Sequence, residues 1–283
     1  MLRTATSLRT LERRDRADVL ALCAQDPVAH VMVAERVELV GSEPARLGGE
    51  LWGLFERGEL TSACWSGANL IPIGVRSPAA LDLFAQRASQ GRGRYSSLFG
   101  PAPEVLGLWA RLQAQGWTAR EVRRCQPLFR IDGPPLVEPD PWVHRAGPAD
   151  LAAVLPASVA MFTEEVGYSP MAGDGGVTYR RRVGELLRQG RTFVRCDDRG
   201  QIVFKADLGS VSSAVAQVHG VWVDPRWRGQ GLAAPAMAAV VQAALSVDAP
   251  VVSLYVNDFN LRALAAYRRV GFREVGTFAT VLL

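Results

Sequence analysis

The chain has 283 residues, 48% hydrophobic and 21% charged, which suits one or two globular domains with substantial cores and excludes a disordered chain. No apolar run approaches the ~18–20 residues of a membrane span, and Met1–Ser7 holds no apolar signal core, so a cytoplasmic protein with no membrane partner is expected. The net charge of +4 divides into +3 over residues 1–133 (17 cations, 14 anions) and +1 over 134–283 (15 and 14), which argues against a nucleic-acid partner.

In chain order, helical spacing is predicted over Thr10–Ala24 and Ala29–Val40, then strands over Leu51–Glu56, Leu60–Trp65 and Leu70–Val75. A helix over Pro78–Ser89, a strand over Tyr95–Phe99, a helix over Glu104–Gln115 and a strand over Val122–Ile131 complete a first domain, residues 1–133. Residues 134–141 are Pro-rich and aperiodic and read as a linker to a second domain, 142–283. That domain opens with a short strand at Trp142–Arg145, a helix over Ala149–Val166 broken or kinked at Pro156, and a helix over Val177–Gln189. Arg180, Arg181 and Arg182 on the latter read as a solvated face. Strands at Thr192–Cys196 and Ile202–Asp207 flank the turn Asp197-Asp-Arg-Gly200, and Ala214–Val223 forms the next strand. A long helix, a strand at Val251–Val256, another helix and a last strand at Phe278–Leu283 follow. Cys23, Cys64, Cys125 and Cys196 are scattered without metal-ligand spacing, so reduced thiols and no metal site are expected.

The richest stretch is Val221-Trp-Val-Asp-Pro-Arg-Trp-Arg-Gly-Gln-Gly-Leu-Ala233. An apolar strand feeds a glycine turn that opens an alanine-rich helix. The first N–H groups of such a helix lack intrahelical partners and carry the positive end of its dipole, which makes a cradle for phosphate. Gly229 and Gly231 let a ligand approach the backbone, and Arg228 adds a forked cationic donor. The turn has no Lys-Ser/Thr pair of a P-loop and lacks the three-glycine dinucleotide order.

Arg228-Gly-Gln-Gly-Leu-Ala233 resembles the acyl-CoA signature of the GNAT acetyltransferases. The stretch Leu254-Tyr-Val-Asn257-Asp-Phe-Asn260-Leu-Arg-Ala263-Leu-Ala-Ala-Tyr267-Arg-Arg-Val-Gly271-Phe272 resembles their second signature. Asn260, Ala263 and Tyr267 share one helix face, and Gly271 is a natural C-cap. The resemblance implies an α/β (α+β) fold with a mixed twisted sheet flanked by helices, splayed where pantetheine inserts. It also implies acetyl-CoA as cosubstrate and an amine acceptor: a small molecule, a peptide N-terminus or a lysine side chain. Cofactor contacts are then expected from Val221, Val223, Arg228, Gly229, Gln230, Gly231, Leu232, Ala233, Asn257 and Asn260. Tyr267 matches the family tyrosine that donates a hydrogen bond or proton to the CoA sulfur, its other reading being a packed aromatic. The Val223 N–H is expected to polarise the thioester carbonyl.

Gln217, His219 and Val221 alternate along one strand and are expected to share a face, with His219 and Gln217 lining the acceptor pocket. Relatives often place Glu where Gln217 stands, and an amide takes no proton. His219 is the candidate base, directly or through water, or else a hydrogen-bonded core residue. Glu164, Glu165 and Tyr168 end a helix that overlies the acceptor in GNAT folds; the carboxylates can bind a cationic amine or help deprotonate it, or form a solvated helix end. A non-catalytic acyl-CoA sensor is the alternative, favoured by the amide at 217.

The first domain repeats the GNAT order of elements, but Arg76-Ser-Pro-Ala-Ala follows its third strand with no Gly-x-Gly, so a degenerate GNAT-like domain with a splayed sheet is expected; the other reading is an unrelated α/β domain. This layout, with Phe162-Thr-Glu-Glu-Val-Gly167, resembles actinobacterial GNAT proteins that carry an N-terminal domain of unknown function.

Overall fold

The computed structural model describes residues 6–42, 48–172 and 174–283; residues 1–5 of the segment searched for an export signal lie outside that set. Two compact units form, and neither is a contiguous stretch: one holds the chain through Leu128 with Tyr255–Phe259 and Glu274–Leu283, the other Phe129–Leu254 with Asn260–Arg273. Among the described residues no helix is long and apolar enough to cross a membrane.

The first unit contains β1 (Thr6–Thr10), α1 (Arg16–Cys23), α2 (Val31–Val40), β2 (Glu50–Glu56), β3 (Glu59–Ser66), β4 (Asn69–Ile73), α3 (Pro78–Ser89), β5 (Ser97–Pro101), α4 (Ala102–Ala114) and most of β6 (Glu121–Ile131). Its sheet runs β1-β2-β3-β4-β5-β12-β6, with the chain's last strand β12 (Arg273–Leu282) antiparallel to β5. Period-two alternation sorts its two cores. Leu51, Phe55, Ala63, Trp65, Ile71 and Ile73 face α1 and α2, whereas Trp52, Leu54, Cys64 and Leu70 face α3 and α4. Arg57 and Gly58, both at positive φ (55° and 88°), make the tight β2–β3 hairpin turn. The helix expected over Thr10–Ala24 begins only at Arg16. Thr10 instead ends strand β1, paired with β2, a 3-10 turn at Arg13–Asp15 leads into the helix, and Asp15 accepts the Arg9 guanidinium at 2.6 and 2.7 Å.

The second unit contains β7 (His144–Arg145), α5 (Leu151–Val166), α6 (Val177–Arg188), β8 (Thr192–Cys196), β9 (Ile202–Val211), β10 (Ala216–Val223), α7 (Ala233–Val247), β11 (Val252–Tyr255) and α8 (Leu261–Val270), with strand order β11-β10-β9-β8-β7. α5 runs unbroken through Pro156. α5 and α6 cover one face of the sheet through Val154, Leu155, Ala157, Val183 and Leu187, which meet Val194, Ile202 and Trp222. The linker segment is tied to this unit: Leu136 N–H donates to Val270 O at 2.8 Å, and Asp140 pairs with Arg195 at 2.7 Å.

A cleft is prepared in the same way in both units. β4 and β5 pair in parallel only at Asn69↔Ser97 and Leu70↔Leu98, and β10 and β11 only at Ala216↔Val252 and Gln217↔Ser253. Each parallel pair then ends, as expected of a splayed sheet, in the first unit as well as the second.

Candidate active site

The cofactor-side turn follows β10. Asp224 holds a 3-10 turn (Pro225–Trp227) by accepting from the Arg226 backbone N–H at 2.8 Å and from its guanidinium at 2.8 and 3.0 Å. The Arg226 hydrogen bond is the main reason the Asp224 carboxyl sits below the usual carboxylate range. Gly229 (φ 77°) and Gly231 (φ 81°) then adopt left-handed backbone with open space around the position of a Cβ, so conformation rather than crowding demands glycine. Leu232 sits at the N-cap of α7 and no side chain caps that end, which leaves the Ala233 and Ala234 amides for a ligand. Gln230 turns back to donate to Arg226 O at 2.8 Å. Arg228 turns away from the helix end: its Nε donates to Val223 O at 2.9 Å and its Nη2 meets Glu164 Oε2 at 2.6 Å.

Asp224 N–H donates to Val203 O on β9, and main-chain groups alternate along a strand, so the N–H and C=O of Val223 point away from β9 into the splay. Strand β10 carries an extra residue between His219↔Asp207 and Trp222↔Lys205. The bulge is made at Gly220 (φ 56°), where a Cβ would come within 2.9 Å of Met161 Cε and 3.3 Å of Asp207 Oδ2. It also corrects the expected face: Gln217 and His219 do share one, with His219 Nε2 2.8 Å from Gln217 Oε1, but Trp222 rather than Val221 continues it. Gln217 Nε2 reaches Ser253 Oγ at 3.3 Å. The His219 ring lies over Gly209, where a Cβ would meet Nδ1 at 2.2 Å. Burial, reinforced by Arg182 and opposed by Asp207, pushes the imidazole down to about 4.

Tyr267 on α8 is buried, edge-on to Phe272 at 6.0 Å between centroids. Burial, with the negative field of Glu165, raises its phenol above the usual value, so it stays protonated. Asn260 caps α8 by accepting from Ala263 N–H at 3.2 Å. In the first unit, Asn257 accepts from Gln126 Nε2 at 2.8 Å, and Gln126 accepts from Thr280 at 2.7 Å. Both asparagines thus have structural hydrogen bonds. Glu164 accepts from Trp222 Nε1 at 3.1 Å besides meeting Arg228; Tyr168 is half exposed, edge-on to Phe162 at 5.6 Å.

Residues 172–272 match the sequence profile of the acetyltransferase (GNAT) family, and residues 49–154 match that of a domain of unknown function, DUF4081. The C-terminal half carries a GNAT domain. No curated protein sequence matches the chain significantly. Among solved structures, a GCN5-related N-acetyltransferase from Sphaerobacter thermophilus superposes with a TM-score of 0.61 at 19% identity, covering 98% of this chain and 94% of the other. A tandem GNAT protein from the clavulanic acid biosynthesis pathway gives 0.58 at 15% identity, covering 98% of each chain. A GNAT-family acetyltransferase from Colwellia psychrerythraea gives 0.57 at 14%, covering 98% of this chain and 99% of the other. At these identities the likeness is one of fold, and it extends over both units.

Sequence reading of the GNAT domain overlooked a polar cluster beneath His219. Lys205, the single lysine of the chain, is buried and ion-paired with Asp207, whose other oxygen accepts from Thr192 Oγ1 at 2.8 Å. The signal was present as a charged pair spaced i, i+2 in an apolar strand, which places both on one face. Arg182, by its sequence a solvated cation, has a field that reaches His219. Among the described residues no group of three or more His, Cys, Asp or Glu could hold a metal.

Proposed function

We propose that the protein is an acetyl-CoA-dependent N-acetyltransferase, acting in the cytoplasm on a primary amine by direct attack within a ternary complex. The observation that carries the reading is the uncapped α7 end behind two left-handed glycines, set beside the open edge of β10. These residues fit a pantetheine–pyrophosphate chain: the Ala233 and Ala234 amides for phosphate, the β10 edge for the pantetheine amides. Acetyl-CoA supplies an activated thioester. The Val223 N–H donates to the carbonyl oxygen as negative charge develops there. His219, uncharged above pH ~4, accepts the proton lost by the attacking nitrogen, directly or through water. Tyr267, held protonated, returns a proton to the leaving sulfur. Glu165 and Tyr168 contribute the acceptor side.

A panel of small amines, polyamines and peptides with free N-termini or lysines, assayed by thiol release from acetyl-CoA, tests this. Amine-dependent release that falls ~10²-fold or more in Tyr267→Phe is expected; release unchanged in that variant removes the tyrosine from the mechanism. The second reading, a sensor that binds acyl-CoA without turnover, is favoured by the Gln217 amide standing between His219 and Ser253. CoA binding with no release for any amine of the panel is its signature.

A further inference from the structure

Glu164 is expected from the sequence on the acceptor side, but its carboxylate is committed elsewhere. One oxygen accepts from the Trp222 indole and the other holds the Arg228 guanidinium, while Arg228 Nε occupies Val223 O. That carbonyl points into the splay, where a ligand chain lying along β10 finds its main-chain partners. The arginine of the phosphate turn therefore lies over the edge of β10, fastened there from the last turn of α5, and not at the end of α7. A carboxylate at a helix C-terminus opposes the dipole, so Glu164 is better satisfied by Arg228 than by solvent.

We propose that Glu164 competes with the cofactor for the Arg228 guanidinium. Glu164 clasps Arg228 across Val223 O, and acyl-CoA binds by opening that clasp and taking over the guanidinium with its phosphates. The inference rests on the acyl-CoA reading above.

Calorimetric titration of CoA into the wild type, Glu164→Gln, Arg228→Gln and the double variant separates the possibilities. A half-exposed ion pair is worth at most a few-fold in an equilibrium constant, so Glu164→Gln is expected to bind CoA about two- to five-fold tighter. In the Arg228→Gln background the same change is expected to do nothing. In turnover, Glu164→Gln is expected to lower the KM for acetyl-CoA and leave the acceptor KM unaltered. Equal tightening in both backgrounds means plain charge repulsion and overturns the clasp, as does unchanged or weaker binding by Glu164→Gln, or a raised acceptor KM. CoA binding by none of the four proteins overturns the acyl-CoA reading and the clasp together.

Discussion

At the scale of single residues, the site is decided by what surrounds each titratable group. His219 is desolvated and lies within the field of Arg182, and both effects favour the neutral ring; Asp207 only partly opposes them. An imidazole at about 4 is a poor sensor of neutral pH: it stays uncharged over the working range, as a weaker base than a solvated histidine. The acid limb of kcat/KM is therefore expected near pH 4 rather than near 6.5, and Gly209→Ala, whose Cβ would displace the ring, is expected to lower kcat/KM by ~10-fold or more. Stability follows with a definite sign. Between pH 6.5 and 4 the unfolded chain binds a proton at this histidine that the folded chain refuses, so its contribution to stability declines as pH falls through that window. An acid limb near 6.5, or wild-type turnover by Gly209→Ala, contradicts this assignment. The place of Tyr267 on α8 was legible from its motif; its protonation state was not, because that follows from burial and from Glu165, which lies on another helix.

At the scale of elements, β10 shows where periodicity stops being a guide. Alternation placed Gln217 and His219 together correctly, since both precede the bulge, and misplaced Val221, which follows it. Only the left-handed Gly220 marks the change, and a glycine within a strand can equally mark a bend or the close approach of another backbone. Gly220→Ala is expected to cost ~1–2 kcal/mol for the left-handed backbone alone, and more because Met161 and the buried Lys205–Asp207 pair must give way. Thermal unfolding measures it, and a variant as stable as wild type means the bulge has moved. Strand β1 was missed because Thr6–Thr10 is short and polar, and its strand character comes from pairing with β2. The glycine turn and α7 were legible for the opposite reason: their chemistry is local, carried by two glycines and an alanine run.

At the scale of the whole molecule, the order of helices and strands after β1 was readable in both units, including the splay in the first. The assignment of the last strand was not. Phe278, Ala279 and Val281 alternate as any half-buried strand does, and nothing in that pattern says that β12 completes the sheet built by residues through Leu128. Deleting residues 273–283 is therefore expected to destabilise the first unit, exposing β5 and its core to proteolysis near Ser97–Pro101; resistance equal to wild type contradicts that assignment. The first unit also differs chemically from the second. At the end of its splayed strand, the Val75 amide is taken by the Glu104 carboxylate, which burial pushes up to about 7. A side chain of the unit itself stands on that backbone N–H, whereas the Val223 N–H of the GNAT domain faces the splay.

The central claim is that the turn from Arg228 to Ala233 receives the phosphates of CoA. Titrating the wild-type protein with CoA and with pantetheine, which lacks the pyrophosphate and nucleotide, tests it most directly. The account predicts saturable one-to-one binding of CoA, weakened at least ~10-fold for pantetheine and similarly for CoA in Gly231→Ala, whose added Cβ strains the left-handed turn. Equal affinity for the two ligands, or no binding of CoA, contradicts it.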